Sequence, residues 1–342
     1  MTPAIDHAIF ELGDLPLQKG GILPKARLAF KTYGSLARRR DNAILFPTWF
    51  SATHRNNEWL IGPGRALDPE RHFIVCANLF GNGMSSSPSN TAAPFDRARF
   101  PRVTVLDNAR AQHRLLREHL GIDRLALLIG RSMGAQVAFQ FASWLPDAVG
   151  RLLALSGSAK TSPHNQVFIE SVKATLMADG TWNGGEYSEP PAKGIVAVGR
   201  LYASWAMSQS FYREGLHLTH GVASLQDYLE KHWDRNFFHS DANDLLAMLE
   251  TWKAADLSDN DRYARNWKEA LAAITCPAIV MPCRTDLYFP PEDSAAAVAH
   301  MPRAELRIIE SVWGHRAGSP NSSAVDIAFV EQAIRDLLAM PA

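Results

Sequence analysis

Apolar residues along the chain fall into short unbroken runs separated by longer amphipathic stretches. The runs at residues 42–47, 71–79, 125–129, 152–155, 278–281 and 306–309 are rich in Ile, Leu and Val and too short for helices. Such runs are the mark of strands buried on both faces. Between them, residues 104–120 place Val105, Ala109, Leu115, Leu116 and Leu120 at helical spacing and stop at Gly121. A second helical pattern runs from Val137 to a stop at Pro146, and a third covers residues 324–338. Residues 8–34 alternate more loosely and predict two antiparallel edge strands joined at Gly20-Gly21. Strands alternating with helices predict an α/β fold with a mostly parallel sheet covered on both faces.

The pattern changes after Thr161. Residues 162–265 are rich in Trp, Tyr, Phe and His, show no strand period, and contain amphipathic stretches at 199–211 and 241–251. We read a core formed by residues 1–160 and 266–342, with residues 161–265 inserted as a helical lid. No internal repeat or low-complexity segment is visible.

The centre of the pattern is residues 125–159, a strand–turn–helix–strand unit whose turn reads Gly130-Arg131-Ser132-Met133-Gly134. This fits G-x-S-x-G, a turn that lifts a serine hydroxyl above the sheet. A residue held in a sharp strand-to-helix turn needs small neighbours, and Gly130 and Gly134 supply them. The following helix N-terminus favours negative charge at that point. A serine that only capped the helix would not need both glycines. Ser132 is therefore the candidate nucleophile.

A hydroxyl attacks only when a base removes its proton, and the base needs an orienting acid. In folds with this turn the partners follow in the order serine, acid, histidine. Asp286 lies just after the 278–281 run, and His315 lies just after the 306–309 run. Both positions fall at the carboxyl edge of a parallel sheet, where such groups gather. The competing reading of Asp286 is a turn or helix-cap residue before Pro290-Pro291. The tetrahedral intermediate needs two amide donors. Met133, directly after the nucleophile, offers one, and Trp49, in the loop after residues 42–47, is chosen for the other. His54 in the same loop is a candidate binding residue.

Composition narrows the context. Thirty-five basic and 35 acidic residues give zero formal net charge, which argues against nucleic acid or an anionic membrane surface as partner. No apolar run nears the roughly 20 residues that cross a bilayer. Residues 1–13 lack a basic region ahead of an apolar core, so no signal peptide is expected. Cys76, Cys276 and Cys283 are an odd set without metal spacing and read as buried, reduced thiols of a cytoplasmic protein. The histidines show no metal-binding spacing, and neither a metal nor a cofactor is expected.

With Ser132, Asp286 and His315 placed, the chain resembles the homoserine transacetylase family of α/β hydrolases. The likeness covers most of its length. It rests on residues 78–81 (NLFG) running into 85–90 (SSSPSN), the elbow 130–134, Ser158-Ala159 with His164-Asn165, and Asp286-Leu287 with 289–292 (FPPE). The resemblance implies acyl transfer through an acyl-serine, and it aligns Arg200 with an arginine that takes a substrate carboxylate. In the transacetylases an aspartate that holds the homoserine ammonium follows the catalytic histidine. Arg316 stands there instead, and two like charges in a partly dry pocket repel by on the order of 1 to several kcal/mol. Arg131 and Ala135 occupy elbow positions where the transacetylases carry glycine, and the sequence assigns Arg131 no role. A branch of short-chain esterases resembles the chain more closely in its elbow, in its 78–90 segment and in lacking that aspartate.

The favoured reading is a serine esterase for short acyl esters. An acyl-CoA-dependent O-acyltransferase of the homoserine type is the alternative, and a non-catalytic binding scaffold is the third. Aromatic residues of the insertion (Trp182, Tyr187, Tyr202, Trp205, Phe211, Tyr212) are expected to form an apolar pocket, with Tyr202, Arg200 and Arg316 as substrate contacts. The expected partner is a small ester, and exposed aromatic faces leave room for a homodimer.

Overall fold

The computed structural model describes residues 6–341. The expectation about residues 1–13 lies partly outside them. Eight strands form one sheet: β1 (Ala8–Pro16), β2 (Ile22–Tyr33), β3 (Ala43–Leu45), β4 (Phe73–Ala77), β5 (Leu127–Arg131), β6 (Leu152–Leu155), β7 (Ala278–Met281) and β8 (Ala304–Leu306). Their spatial order is β1-β2-β4-β3-β5-β6-β7-β8. β1 pairs antiparallel with β2, and β2 with β4, while every later pair is parallel. The fold is thus an α/β sheet with an antiparallel hairpin at one edge.

Side chains alternate across the sheet with period two. Ala43, Leu45, Leu128, Leu152, Ala154, Ala278 and Val280 enter one apolar layer, and Ile44, Leu127, Ile129, Leu153, Leu155, Ile279 and Met281 the other. Both faces are dry, which explains why these strands read as continuous apolar runs. The first layer is closed by α1 (Val105–Arg114) and α2 (Met133–Trp144). α1 starts where Thr104 Oγ1 accepts from the Asp107 amide and the Asp107 carboxylate accepts from the Thr104 amide. Its last turns widen over Leu115–His119 before Gly121 ends the segment at φ +63°.

The inserted helical subdomain carries α3 (Pro163–Met177), α4 (Ala192–Ala206), α5 (Gln209–Arg213), α6 (Leu225–Tyr228) and α7 (Ala242–Lys253). The 199–211 stretch expected as one amphipathic segment is two helices, because the chain turns extended at Met207 and Ser208 then caps the second helix through the Phe211 amide. α8 (Trp267–Ala272) leads back to the sheet, α9 (Pro291–Val298) follows β7, and α10 (Ala324–Ala339) covers the second layer through Val330, Ala333, Ile334 and Leu337.

The last strand differs from expectation. The regular ladder is Ala304–Leu306, and isolated bonds continue it: Arg307 N–H to Val280 O, Ile309 N–H to Pro282 O and Arg284 N–H to Ile309 O, the last two making an isolated parallel bridge between Cys283 and Ile309. Pro282 has no amide to donate, so the regular pairing ends there. No helix among the described residues is long and apolar enough to cross a membrane.

Candidate active site

β5 delivers Ser132 to the carboxyl edge of the sheet in a strained conformation, φ +54° and ψ −127°. Its amide is tied to Leu155 O of β6 at 2.9 Å. The glycines around it are sterically required. A Cβ at Gly130 would meet Gly134 O at 2.3 Å, and one at Gly134 would meet Thr48 O at 2.6 Å. Close approach at Gly134 seats the elbow directly against the loop that carries Trp49.

His315 reaches the same point from the loop after β8. Gly314, at φ +58°, lets that loop press against the corner between α4 and α5, where a Cβ would meet Ala206 O at 2.7 Å. His315 Nε2 lies 3.0 Å from Ser132 Oγ, and its Nδ1 lies 2.8 Å from Asp286 Oδ2. Asp286 Oδ1 accepts from the amides of Tyr288 (2.8 Å) and Phe289 (3.2 Å). The two carboxylate oxygens thus have separate partners, Oδ1 the turn amides and Oδ2 the histidine ring. Thr285 fastens the two loops: its hydroxyl donates to Ser311 O and accepts from the Gly314 amide.

The three side chains are buried. Burial holds the His315 imidazole below its usual pKa, opposed by the charge and hydrogen bond of Asp286. A neutral imidazole with Nδ1–H given to Asp286 leaves Nε2 free to accept a hydroxyl proton, which is the chemistry this chain of hydrogen bonds permits. The amides of Met133 and Trp49 donate no hydrogen bond among the described residues, and the same holds for Phe50. Met133 opens α2, so its amide is one of the free donors of a helix N-terminus.

Ser132 and His315 open into a cavity of about 370 Å³. Trp49, Phe50, Tyr202, Trp252, Tyr288 and Arg316 are among its walls. Tyr202 stacks on Phe50 at 5.7 Å. Of the aromatics expected to form the pocket, Tyr202 alone lines it. Trp182 lines a separate cavity with Phe80 and Phe100, and Trp205 packs between His164 and Phe168.

Two expected contacts are corrected. Arg200 does not face the cavity: it is solvent-exposed and held by both oxygens of Asp234 at 2.8 Å. Its helical spacing places it on the outer face of α4. His54 is fully buried behind the site, with its amide on Asn78 Oδ1 and its ring Nδ1 3.2 Å from Asn78 Nδ2. The 78–90 segment is likewise scaffolding. Ser85 donates to Asn78 O and accepts from the Ala29 amide, joining that loop to β2.

The surroundings of three groups emerge only in the fold. Arg131 is buried, lines the cavity, donates to His315 O at 2.7 Å and lies 5.1 Å over the Trp49 ring. Nothing in a linear motif announces a side chain that spans from the elbow to two other loops. Asp6, His7 and His54 bring ligand-type atoms within 4.8 Å of one another, although Asp6 already pairs with Arg55 at 3.0 Å and Lys31 at 3.4 Å. Cys283 sits three residues before Asp286 but turns away, its sulfur 3.4 Å from Ser311 O, and burial pushes its thiol pKa up to about 11.

Comparison with known proteins now adds to this geometry. Residues 52–317 match the alpha/beta hydrolase fold family. The chain belongs to that family. It is 35% identical to an ethyl acetate hydrolase of Pseudomonas veronii, covering 98% of this chain and 97% of that one. The crystal structure of an acetylester hydrolase from Corynebacterium glutamicum superposes with a TM-score of 0.94 at 35% identity, covering 98% and 96%. A homoserine O-acetyltransferase of Thermobifida fusca is 30% identical over 98% of this chain and 95% of its own. Likeness to the acetylesterases thus exceeds likeness to this acetyltransferase.

Proposed function

We propose that the protein is a serine esterase that hydrolyses short acyl esters, such as acetates, through an acyl-enzyme. The observation that carries this reading is the Ser132–His315–Asp286 hydrogen-bonded chain at the wall of a small, lidded cavity. Ser132 Oγ attacks the ester carbonyl as His315 Nε2 takes its proton. Asp286 steadies the imidazolium. The Met133 and Trp49 amides receive the oxyanion, and His315 returns the proton to the leaving alcohol. Water, activated by His315, then releases the acid. Residues 161–265 form the lid that restricts the site to small substrates.

The acetyltransferase reading is less well supported. Arg316 lines the cavity and puts a positive charge where the resemblance to the transacetylases would place an ammonium-holding aspartate, and Arg200 is engaged with Asp234. Names of relatives support the esterase reading, since an ethyl acetate hydrolase and an acetylester hydrolase match over nearly the whole chain. The test is acid release from ethyl acetate by purified protein, followed by pH-stat, beside acetyl-CoA with homoserine. Hydrolysis abolished by Ser132→Ala is expected. Faster homoserine-dependent release of CoA thiol would reverse the assignment.

A further inference from the structure

The cavity beside Ser132 carries an unusual charge pattern. Arg55, Arg131 and Arg316 line it, and no acidic residue does among the described residues. Arg55 is neutralised by Asp6. The other two have no ion-pair partner there. Arg131 is 3% exposed, gives one hydrogen bond to a backbone carbonyl, and leaves its Nε without a partner. Arg316 is half-buried, lies 5.4 Å over the Trp233 ring, and has a single long contact of 3.4 Å to Asn236 Oδ1. Burial and the neighbouring Arg316 push the Arg131 pKa down to about 9, which still leaves it charged at neutral pH. Other donors of the wall are orphaned as well: the hydroxyls of Tyr202 and Tyr288 and the indole N–H of Trp252 are buried without partners among the described residues.

One buried and one half-buried cation without an ion-pair partner among the described residues, Arg131 feeling only the more distant charge of Asp286, cost free energy that an anion joining them would offset. A neutral ester offers a carbonyl to the oxyanion donors and nothing to these groups. A carboxylate is an acceptor with two oxygens and no donor, which matches a wall of N–H and O–H groups. We propose that Arg131 and Arg316 form a subsite for a carboxylate carried by the substrate, so that the preferred esters are those of hydroxy acids or half-esters of diacids. This rests on the esterase reading and narrows it. Arg200, on the outer face of α4, takes no part.

The experiment compares charged esters with neutral isosteres. Acetoxyacetate is set against acetoxyacetamide for a carboxylate on the alcohol side, and monoethyl succinate against ethyl succinamate for one on the acyl side. At least one charged ester is expected to exceed its amide in kcat/KM by on the order of tenfold to a hundredfold. That ratio is expected to shrink with added salt and to collapse in Arg316→Gln, with an unchanged melting temperature checking that the variant is folded. Equal or poorer turnover of both charged esters would overturn the subsite, as would a ratio unchanged in Arg316→Gln. Loss of all ester hydrolysis, neutral esters included, would overturn the esterase reading instead. The subsite is then read by calorimetric titration with succinate, where binding weakened in Arg316→Gln supports it and no binding refutes it. Tighter binding of inorganic phosphate than of succinate would overturn the assignment to carboxylates.

Discussion

Asp286→Asn tests the site without changing its shape. Asp286 Oδ1 accepts two amides, from Tyr288 at 2.8 Å and Phe289 at 3.2 Å, and Oδ2 meets His315 Nδ1 at 2.8 Å. An asparagine keeps both amide bonds only if its oxygen stays at the Oδ1 position. Its NH₂ then faces His315 Nδ1. Rotating the side chain to offer oxygen to the histidine would set an NH₂ against two amide donors and lose two buried hydrogen bonds, about 1 kcal/mol each or more. The imidazole therefore gives way. Nδ1 becomes the acceptor, the proton moves to Nε2, and Nε2 donates toward Ser132 Oγ instead of receiving from it. Loss of the correct tautomer in such triads lowers kcat by about 10⁴, or roughly 5 kcal/mol of transition-state stabilisation. Folding stability is expected to change by no more than about 1 kcal/mol, because the amide contacts survive. The assay is p-nitrophenyl acetate hydrolysis with thermal unfolding measured on the same preparations. A folded variant retaining more than a tenth of wild-type kcat would refute the tautomer reasoning.

Further predictions concern pH, the elbow and the lid. The base must be neutral, so kcat/KM rises with pH through the His315 pKa; burial lowers that pKa, and the midpoint is expected below about 6.5. An acid limb centred above pH 7 would contradict it. In Gly134→Ala the new methyl meets Thr48 O and Pro47 O, both backbone, and pushes away the loop holding Trp49. A drop in kcat of about 10²-fold, with a smaller change in KM, is expected from a misplaced oxyanion donor, and a wild-type kcat would speak against that donor. Asp244, on α7, is buried against Ser89, and burial raises its pKa to about 7. A raised folded pKa means that its stability contribution is present below the unfolded value and fades as pH climbs toward 7. Asp244→Asn should remove that component from the pH dependence of the melting temperature, and an unaltered profile would show that Asp244 does not titrate there.

Local patterning made much of the fold legible. Two-sided burial gives continuous apolar runs; β3, β4, β6 and β7 lie inside the stretches that the runs marked, and β5 overlaps its run and continues two residues further to Arg131. β8 was harder to place because it is an edge strand of three residues, none fully buried, ended by the proline of its neighbour. Ser132, Asp286 and His315 could be singled out because each follows a strand at the sheet's carboxyl edge, where topology alone brings loops together. Cavity walls were less accessible. Helical spacing shows that Arg200 and Tyr202 share α4 but not which face turns inward, and two residues of separation put them about 200° apart. Arg131 stood out at the elbow but could be given no role, because its contacts, His315 and Trp49, are remote in sequence and meet only in the fold.

A covalent intermediate on Ser132 is the most direct consequence of this account. Protein mixed with p-nitrophenyl acetate, quenched in acid within milliseconds and digested for mass spectrometry, should carry one acetyl group on the peptide containing Ser132. The same peptide from Ser132→Ala should carry none, and its burst of p-nitrophenol should vanish. Acetyl on another residue with Ser132 untouched, or an undiminished burst from the alanine variant, would contradict it.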